Sequence, residues 1–160
     1  MVKLKIYDKD MQQDIENFIQ ICFKEVYANM GWGYDPAGRH SDIANICEAY
    51  MKNGCFWCLY DGTVLIGTVA AKNICQVSAN GKHIELKRMF VLKEYQGKGY
   101  GRLLLETVID YSRKNGFDKI LLDTRIDFHA AIKLYRKNGF VEVPAYNDNT
   151  NADLFFELKL

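Results

Sequence analysis

Apolar and polar residues alternate over residues 2–7, the period-two pattern of a half-buried strand. Asp10, with Gln13 three positions on, resembles a helix-start box. Met11, Ile15, Phe18, Ile19, Cys22, Phe23 and Val26 then recur at steps of three and four, which predicts one amphipathic helix. Gly31, Gly33, Pro36 and Gly38 break that period. Ser41 opens a shorter helical pattern with Ile43, Ile46, Cys47, Tyr50 and Met51 on one face and Gly54 as its stop. Residues 55–60 and 63–71 flank an Asp61-Gly62 pair suited to a two-residue hairpin turn, and Asn80-Gly81 repeats the device before a strand at 83–91. The pattern up to that point is mostly antiparallel sheet. Beyond it come a Gly-rich turn, a helix over about 99–114 ended by Gly116, a strand at 119–123, a helix ended by Gly139, and strands near 140–143 and 154–158. With no internal repeat, linker or low-complexity tract, residues 1–160 read as a single α/β (α+β) domain with a mixed sheet.

Composition narrows the classes. The chain has 160 residues, 49% hydrophobic and 26% charged, with only two prolines, which suits one packed core and excludes disorder as the main state. Charge-free stretches such as 63–71 fall short of the roughly 20 apolar residues of a membrane helix, and the N-terminus lacks a signal-peptide core, so a cytoplasmic location and no membrane partner are expected. With 21 basic and 20 acidic side chains, the net charge of +1 offers no whole-domain field for nucleic acid. Five cysteines, all among apolar neighbours, read as reduced thiols serving as small hydrophobes. Cys55 and Cys58 have CxxC spacing, but a strand would point them to opposite faces, and no second Cys/His pair stands at ligand spacing. His40 and His129 read as surface or capping residues, and no metal site is expected.

The segment Gln96-Gly97-Lys98-Gly99-Tyr100-Gly101-Arg102 joins a strand to a helix. Glycines allow close backbone approach, and the unpaired N–H groups and positive dipole end of a helix's first turn favour an anion, with Lys98 and Arg102 adding charge. The same residues also suit a tight connection with exposed basic side chains. A P-loop is excluded because no Ser or Thr follows the Lys-Gly pair. The dinucleotide fingerprint fails at Arg102, where it needs a third glycine, and the preceding strand ends an antiparallel run.

Residues 85–102, followed by three leucines, resemble the acetyl-coenzyme A binding core of the GNAT superfamily of N-acyltransferases. Its Gln/Arg-x-x-Gly-x-Gly/Ala signature is met by Gln96, Gly99 and Gly101. Leu122-Asp123-Thr124 and the run from Ala131 through Leu134-Tyr135 to Gly139-Phe140 are similar to the family's second shared segment. The resemblance implies a GNAT-like mixed, mostly antiparallel sheet of six to seven strands flanked by about four helices. It also implies acetyl-CoA as co-substrate, with the N–H groups of Gln96, Gly97, Lys98, Gly99, Tyr100, Gly101 and Arg102 on its pyrophosphate and the strand at Met89, Phe90 and Val91 along its pantetheine. Tyr135 occupies the family position of a general acid for the departing thiolate, and Glu85, eleven residues before Gln96, that of a general base in some members. A packed Tyr135 and an ion pair of Glu85 with Lys87 are the structural alternatives. Strict alternation would put Glu85, Lys87, Met89 and Val91 on one strand face and Ile84, Leu86, Arg88 and Phe90 on the other. Phe128 stands where protein N-terminal acetylating members carry Asn, which argues against that subgroup.

The implied acceptor region lies between the loop after the first helix, with Trp32, Tyr34, Asp35, Arg39 and His40, and the connection before the last strand, with Tyr146, Asn147, Asp148, Asn149, Asn151 and Asp153. Trp32, Tyr34, Asp35, Tyr146 and Asp148 are the candidate acceptor contacts. Three carboxylates against one arginine predict an acidic mouth suited to a small amine. The expected reaction is metal-free acetyl transfer to a small-molecule primary amine in one ternary complex, with a homodimer left open. Acetylation of a protein amine and a non-catalytic acyl-CoA or nucleotide binding module are the alternatives.

Overall fold

The computed structural model describes residues 1–75 and 81–160. Among these, seven strands form one sheet in the order β1-β2-β3-β4-β5-β7-β6, with every neighbouring pair antiparallel except β4 and β5, which run parallel. The strands are β1 Val2–Ile6, β2 Cys55–Asp61, β3 Val64–Asn73, β4 His83–Val91, β5 Lys119–Thr124, β6 Val141–Val143 and β7 Leu154–Lys159. The main helices are α1 Gln12–Tyr27, α2 Ser41–Ala44, α3 Tyr100–Lys114 and α4 His129–Lys137, and a π-type turn, Cys47–Met51, follows α2.

Central strands buried on both faces carry continuous apolar runs. Cys55, Trp57 and Leu59 of β2 face a core built with Leu104, Leu105 and Val108 of α3 and with Ile132 and Tyr135 of α4. Phe56, Cys58 and Tyr60 face the opposite core, filled by Ile15, Phe18, Ile19, Cys22 and Phe23 of α1 with Ile43, Ile46 and Tyr50. Cys55 and Cys58 therefore lie in different layers, and all five cysteines are free.

Several local expectations need correction. The start box at Asp10 does not form: Asp8 accepts the Asp10 N–H (3.1 Å) to cap a 3₁₀ turn, Lys9–Met11, and Gln13 donates instead to Asn17. The first hairpin turns at Gly62-Thr63, one residue later than expected, because Asp61 still pairs with Val64. Gly54 lies beyond the helical turn, at a point of close approach: a Cβ there would meet the Ala71 carbonyl oxygen. Cys47 is exposed. Asn80 of the expected second turn lies outside the described residues.

Candidate active site

The sheet forks where its single parallel pair ends. The β4 and β5 ladder covers only His83 with Lys119, Ile84 with Ile120 and Glu85 with Leu121. Past Glu85, the β5 side of β4 has no strand partner, although β4 continues to Val91.

A β-bulge on the other edge of β4 reshapes the same stretch. Thr68 pairs with Phe90 and Ala70 with Lys87, so Arg88 and Met89 together oppose Val69. Arg88 takes φ 53°, the only described non-glycine residue with positive φ. The extra residue reverses the alternation. Ile84 and Leu86 face the α3 layer, Met89 and Val91 return to it, and Phe90 packs on the α1 layer. The expectation that Glu85, Lys87, Met89 and Val91 share one face is therefore wrong, because strict alternation does not survive a bulge. Arg88 is held by a bidentate ion pair to Asp42 (2.7 and 2.8 Å), and its carbonyl accepts from Thr68 Oγ1 (2.8 Å). Tyr50 donates a further hydrogen bond to Asp42. Burial opposes ionisation of Asp42, but the Arg88 guanidinium and the Tyr50 hydroxyl outweigh it and hold the carboxyl below its ordinary range.

A cavity of about 380 Å³ occupies the fork. Leu86 to Phe90 of β4 form one wall, Asp123 to Arg125 a second, and Phe128 and Tyr135 a third, with Phe23, Tyr27, Trp32, Arg39 and His40 from the α1 side and Asn147, Asn149 and Asn151 from the last connection. Its cationic wall residues, Arg39, Lys87, Arg88 and Arg125, face one lining carboxylate, Asp123. The expected acidic mouth is thus absent among the described residues. Asp35 is turned into its own loop, where it accepts from the Gly38 and Arg39 N–H groups, and Asp153 accepts from the Ile126 N–H. Asp148 is exposed and outside the cavity wall.

Tyr135 lines the cavity while its ring packs on Phe140 and Phe156. Its hydroxyl has no hydrogen-bond partner among the described residues. Burial, with the Asp123 charge, pushes the phenol well above its ordinary range, so it stays protonated and able to donate at neutral pH. Glu85, the last β4 residue paired with β5, is buried; it accepts from Tyr146 Oη (2.9 Å) and lies 3.6 Å from Lys87 Nζ. Asn147 bridges from Glu85 (3.4 Å) to Asp123 (2.7 Å), which Asn149 also approaches (3.2 Å). Glu85 and Tyr146 stand behind the cavity wall and connect to it through Asn147, Trp32 lines it directly, and Tyr34 stacks on His40 outside the wall. His40 is buried, not a surface residue; it does stand at the N-cap position of α2, without a side-chain cap bond, and its Nδ1 accepts the Asp35 N–H (2.8 Å).

The glycine turn forms a second polar centre. Gly97 and Gly99 have φ 75° and 87°, which only glycine adopts without strain, and a Cβ at either would find open space. Leu103 is the first residue of α3 whose N–H meets a carbonyl, that of Gly99, so the N–H groups from Gly97 to Arg102 have no acceptor among the described residues. Gln96 closes the turn by donating Nε2 to the Val91 carbonyl (2.9 Å). Lys98 lies over the Tyr95 ring, and Arg102 pairs with Glu106. An exposed run of free donors at a helix N-terminus fits a phosphate-bearing group, and Met89, Phe90 and Val91 of β4 lead from it to the fork.

Sequence reasoning missed Arg88, Asp42 and Tyr50, which shape the β4 wall, and Asp123 and Arg125, which polarise the cavity, whereas Asn147, Asn149 and Asn151 of the expected second loop do line it. The one signal along the chain was the break of alternation at Arg88, followed by the consecutive apolar residues Met89, Phe90 and Val91, which locates neither the partner strand nor the ion pair.

A family model described as "Acetyltransferase (GNAT) family" matches residues 15–140. N-acetyltransferase 8 of Mus musculus is 30% identical over 126 residues, 77% of this chain and 56% of that protein, and its Rattus norvegicus counterpart is 29% identical over 126 residues, 77% and 57% respectively. The chain spans a little over half the length of these curated relatives. A GNAT-family acetyltransferase structure from Staphylococcus aureus Mu50 superposes with a TM-score of 0.84 at 23% identity, covering 99% of both chains. The PaiA N-acetyltransferase of Thermoplasma acidophilum, solved in complex with coenzyme A, superposes at 0.74 with 19% identity over 100% of this chain and 99% of that one. These structural likenesses establish a shared fold, and the family match across both the fork and the glycine turn shows that the chain belongs to the acetyltransferase (GNAT) family.

Proposed function

We propose that the chain transfers an acetyl group from acetyl-CoA to a primary amine of a small-molecule acceptor, by direct attack in one ternary complex. The observation that carries this reading is the connection of two centres by one strand: the free N–H run from Gly97 to Arg102 at the head of α3, and the cavity at the fork, joined by β4. Coenzyme A and acetyl-CoA occur in solved relatives of the same fold, which supports the choice of donor.

On this reading the N–H groups from Gly97 to Arg102, with Lys98, hold the pyrophosphate, and the open backbone edge of β4 at Met89, Phe90 and Val91 pairs with the pantetheine amides. The bound thioester supplies an activated acyl carbon. Glu85, acting through a water, takes a proton from the acceptor ammonium, whose nitrogen then bonds to that carbon as the carbon–sulfur bond breaks and releases its second proton to solvent. Tyr135 gives its phenolic proton to the departing thiolate and is reprotonated from solvent. The free thiols support a reducing, cytoplasmic setting.

Thiol release from acetyl-CoA with a panel of amines tests the proposal. Tyr135→Phe removes a proton donor and little surface, so coenzyme binding stays near wild type while kcat falls at least about tenfold, equal to about 1.4 kcal/mol of barrier. Unchanged kcat would reduce Tyr135 to a packing residue, and thiol release with no amine in the panel would leave only a binding module.

A further inference from the structure

We propose that the acceptor is an α-amino acid with an apolar or aromatic side chain, its carboxylate received by the Arg39 and Arg125 guanidinium groups that lie over the Trp32 ring. This rests on the acetyltransferase reading of the same cavity and names its acceptor class.

Charge accounting points this way. Of the four cationic residues lining the cavity, Arg88 is neutralised by its bidentate pair with Asp42, and Lys87 faces Glu85 at 3.6 Å. Arg39 has no carboxylate within ion-pair distance among the described residues, and its guanidinium carbon lies 5.7 Å from the Trp32 ring centre. Arg125 lies 5.0 Å from the same ring and reaches the largely exposed Asp127 through Nη2 (3.1 Å) and the Asn151 carbonyl through Nη1 (3.3 Å). Its Nε is buried with no partner. A charged donor desolvated but unsatisfied is uncommon in native structures unless a ligand completes it. Both guanidinium groups line the same cavity and lie against one indole, and a guanidinium fork fits a carboxylate.

The opposite polarity stands nearby. Asp123 precedes Arg125 by two residues on one chain end, roughly 7 Å of strand rise, and is held by Asn147 and Asn149. A fixed anion beside fixed cations matches a zwitterion, whereas a polyamine would need two acidic centres. Phe23, Tyr27, Phe90 and Phe128 give the cavity an apolar wall for the side chain.

The test compares thiol release at saturating acetyl-CoA for L-phenylalanine, L-leucine, L-phenylalanine methyl ester, 2-phenylethylamine, L-phenylalanyl-glycine and putrescine. The better amino acid exceeds the ester and 2-phenylethylamine by at least tenfold in kcat/KM. The ester's amine is the weaker base and more of it is neutral, so basicity alone predicts the reverse order. Arg39→Gln, on the exposed rim, and Arg125→Gln each narrow that ratio to less than about threefold, with a coenzyme A melting shift showing that each variant is folded. Ester or simple amine matching the amino acid, or a ratio unchanged in both variants, overturns the proposal while leaving acetyl transfer intact. Preference for the dipeptide or putrescine overturns it in favour of a peptide or cationic acceptor. No thiol release with any of these compounds or with a wider amine panel overturns the acetyltransferase reading and this inference with it.

Discussion

Arg88 occupies a backbone region in which the Cβ crowds the following carbonyl, at a penalty of roughly 1–2 kcal/mol for an L-residue. The side chain offsets it by reaching Asp42 and Tyr50 behind the strand. Removing one partner leaves a largely buried charge uncompensated, so Asp42→Ala destabilises the fold by about 3 kcal/mol, measured as a lower urea midpoint at unchanged m-value. A loss of only a few tenths would show that the pair is solvated. Next to it, His40 is kept neutral by burial and then by the positive charge of Arg88, against the smaller pull of Asp42 and Asp35. Its folded pKa is depressed, so between that value and about 6.5 the unfolded chain binds the proton that the folded chain refuses. The contribution of His40 to stability therefore falls as pH drops below about 6.5. His40→Gln flattens the urea midpoint between pH 7 and 5, and an unaltered profile would remove His40 as the cause.

At the scale of elements, the bulge and the fork act together on β4: one reverses its side-chain alternation, the other frees its edge. Neither was legible in the strand's own pattern, because a bulge is defined by the partner strand and a fork by where a ladder stops. The start and stop of α3 were legible, since glycine conformations and orphan N–H groups are properties of a few neighbouring residues. Gly99→Glu puts a side chain and a negative charge on the helix N-terminus, and the variant melts cooperatively but without the upward shift that coenzyme A gives the wild type. An equal shift would show that the turn is not the binding site. Gly54 was legible as a glycine that mattered, but for another reason. Its Cβ-free surface lets the chain entering β2 lie on the Ala71 carbonyl, so Gly54→Ala destabilises by about 1–3 kcal/mol in chemical denaturation, with no change expected if that approach can relax.

For the whole molecule, a ligand that binds only the folded chain stabilises it by mass action, and coenzyme A at 100 times its Kd adds about 2.7 kcal/mol, read as a rise in Tm that grows with concentration. A melting curve unmoved by millimolar acetyl-CoA would contradict the cradle at α3. The amino-acid sequence by itself determined the order of elements and the glycine-led turn with its free N–H groups between β4 and α3. Each depends on periodicity or on chemistry within a few residues, where local sterics and hydrogen bonding decide the outcome. Tertiary structure alone decided the character of the acceptor cavity. Asp35 and Asp153, apparently available along the chain, satisfy backbone N–H groups, while Arg125 joins Arg39 over Trp32. Arg88 finds Asp42 46 positions away, and Glu85 finds Tyr146 61 positions away. The sign of a cavity is set by which charges remain unpaired after folding, and that pairing depends on distances across the sheet that no linear spacing encodes.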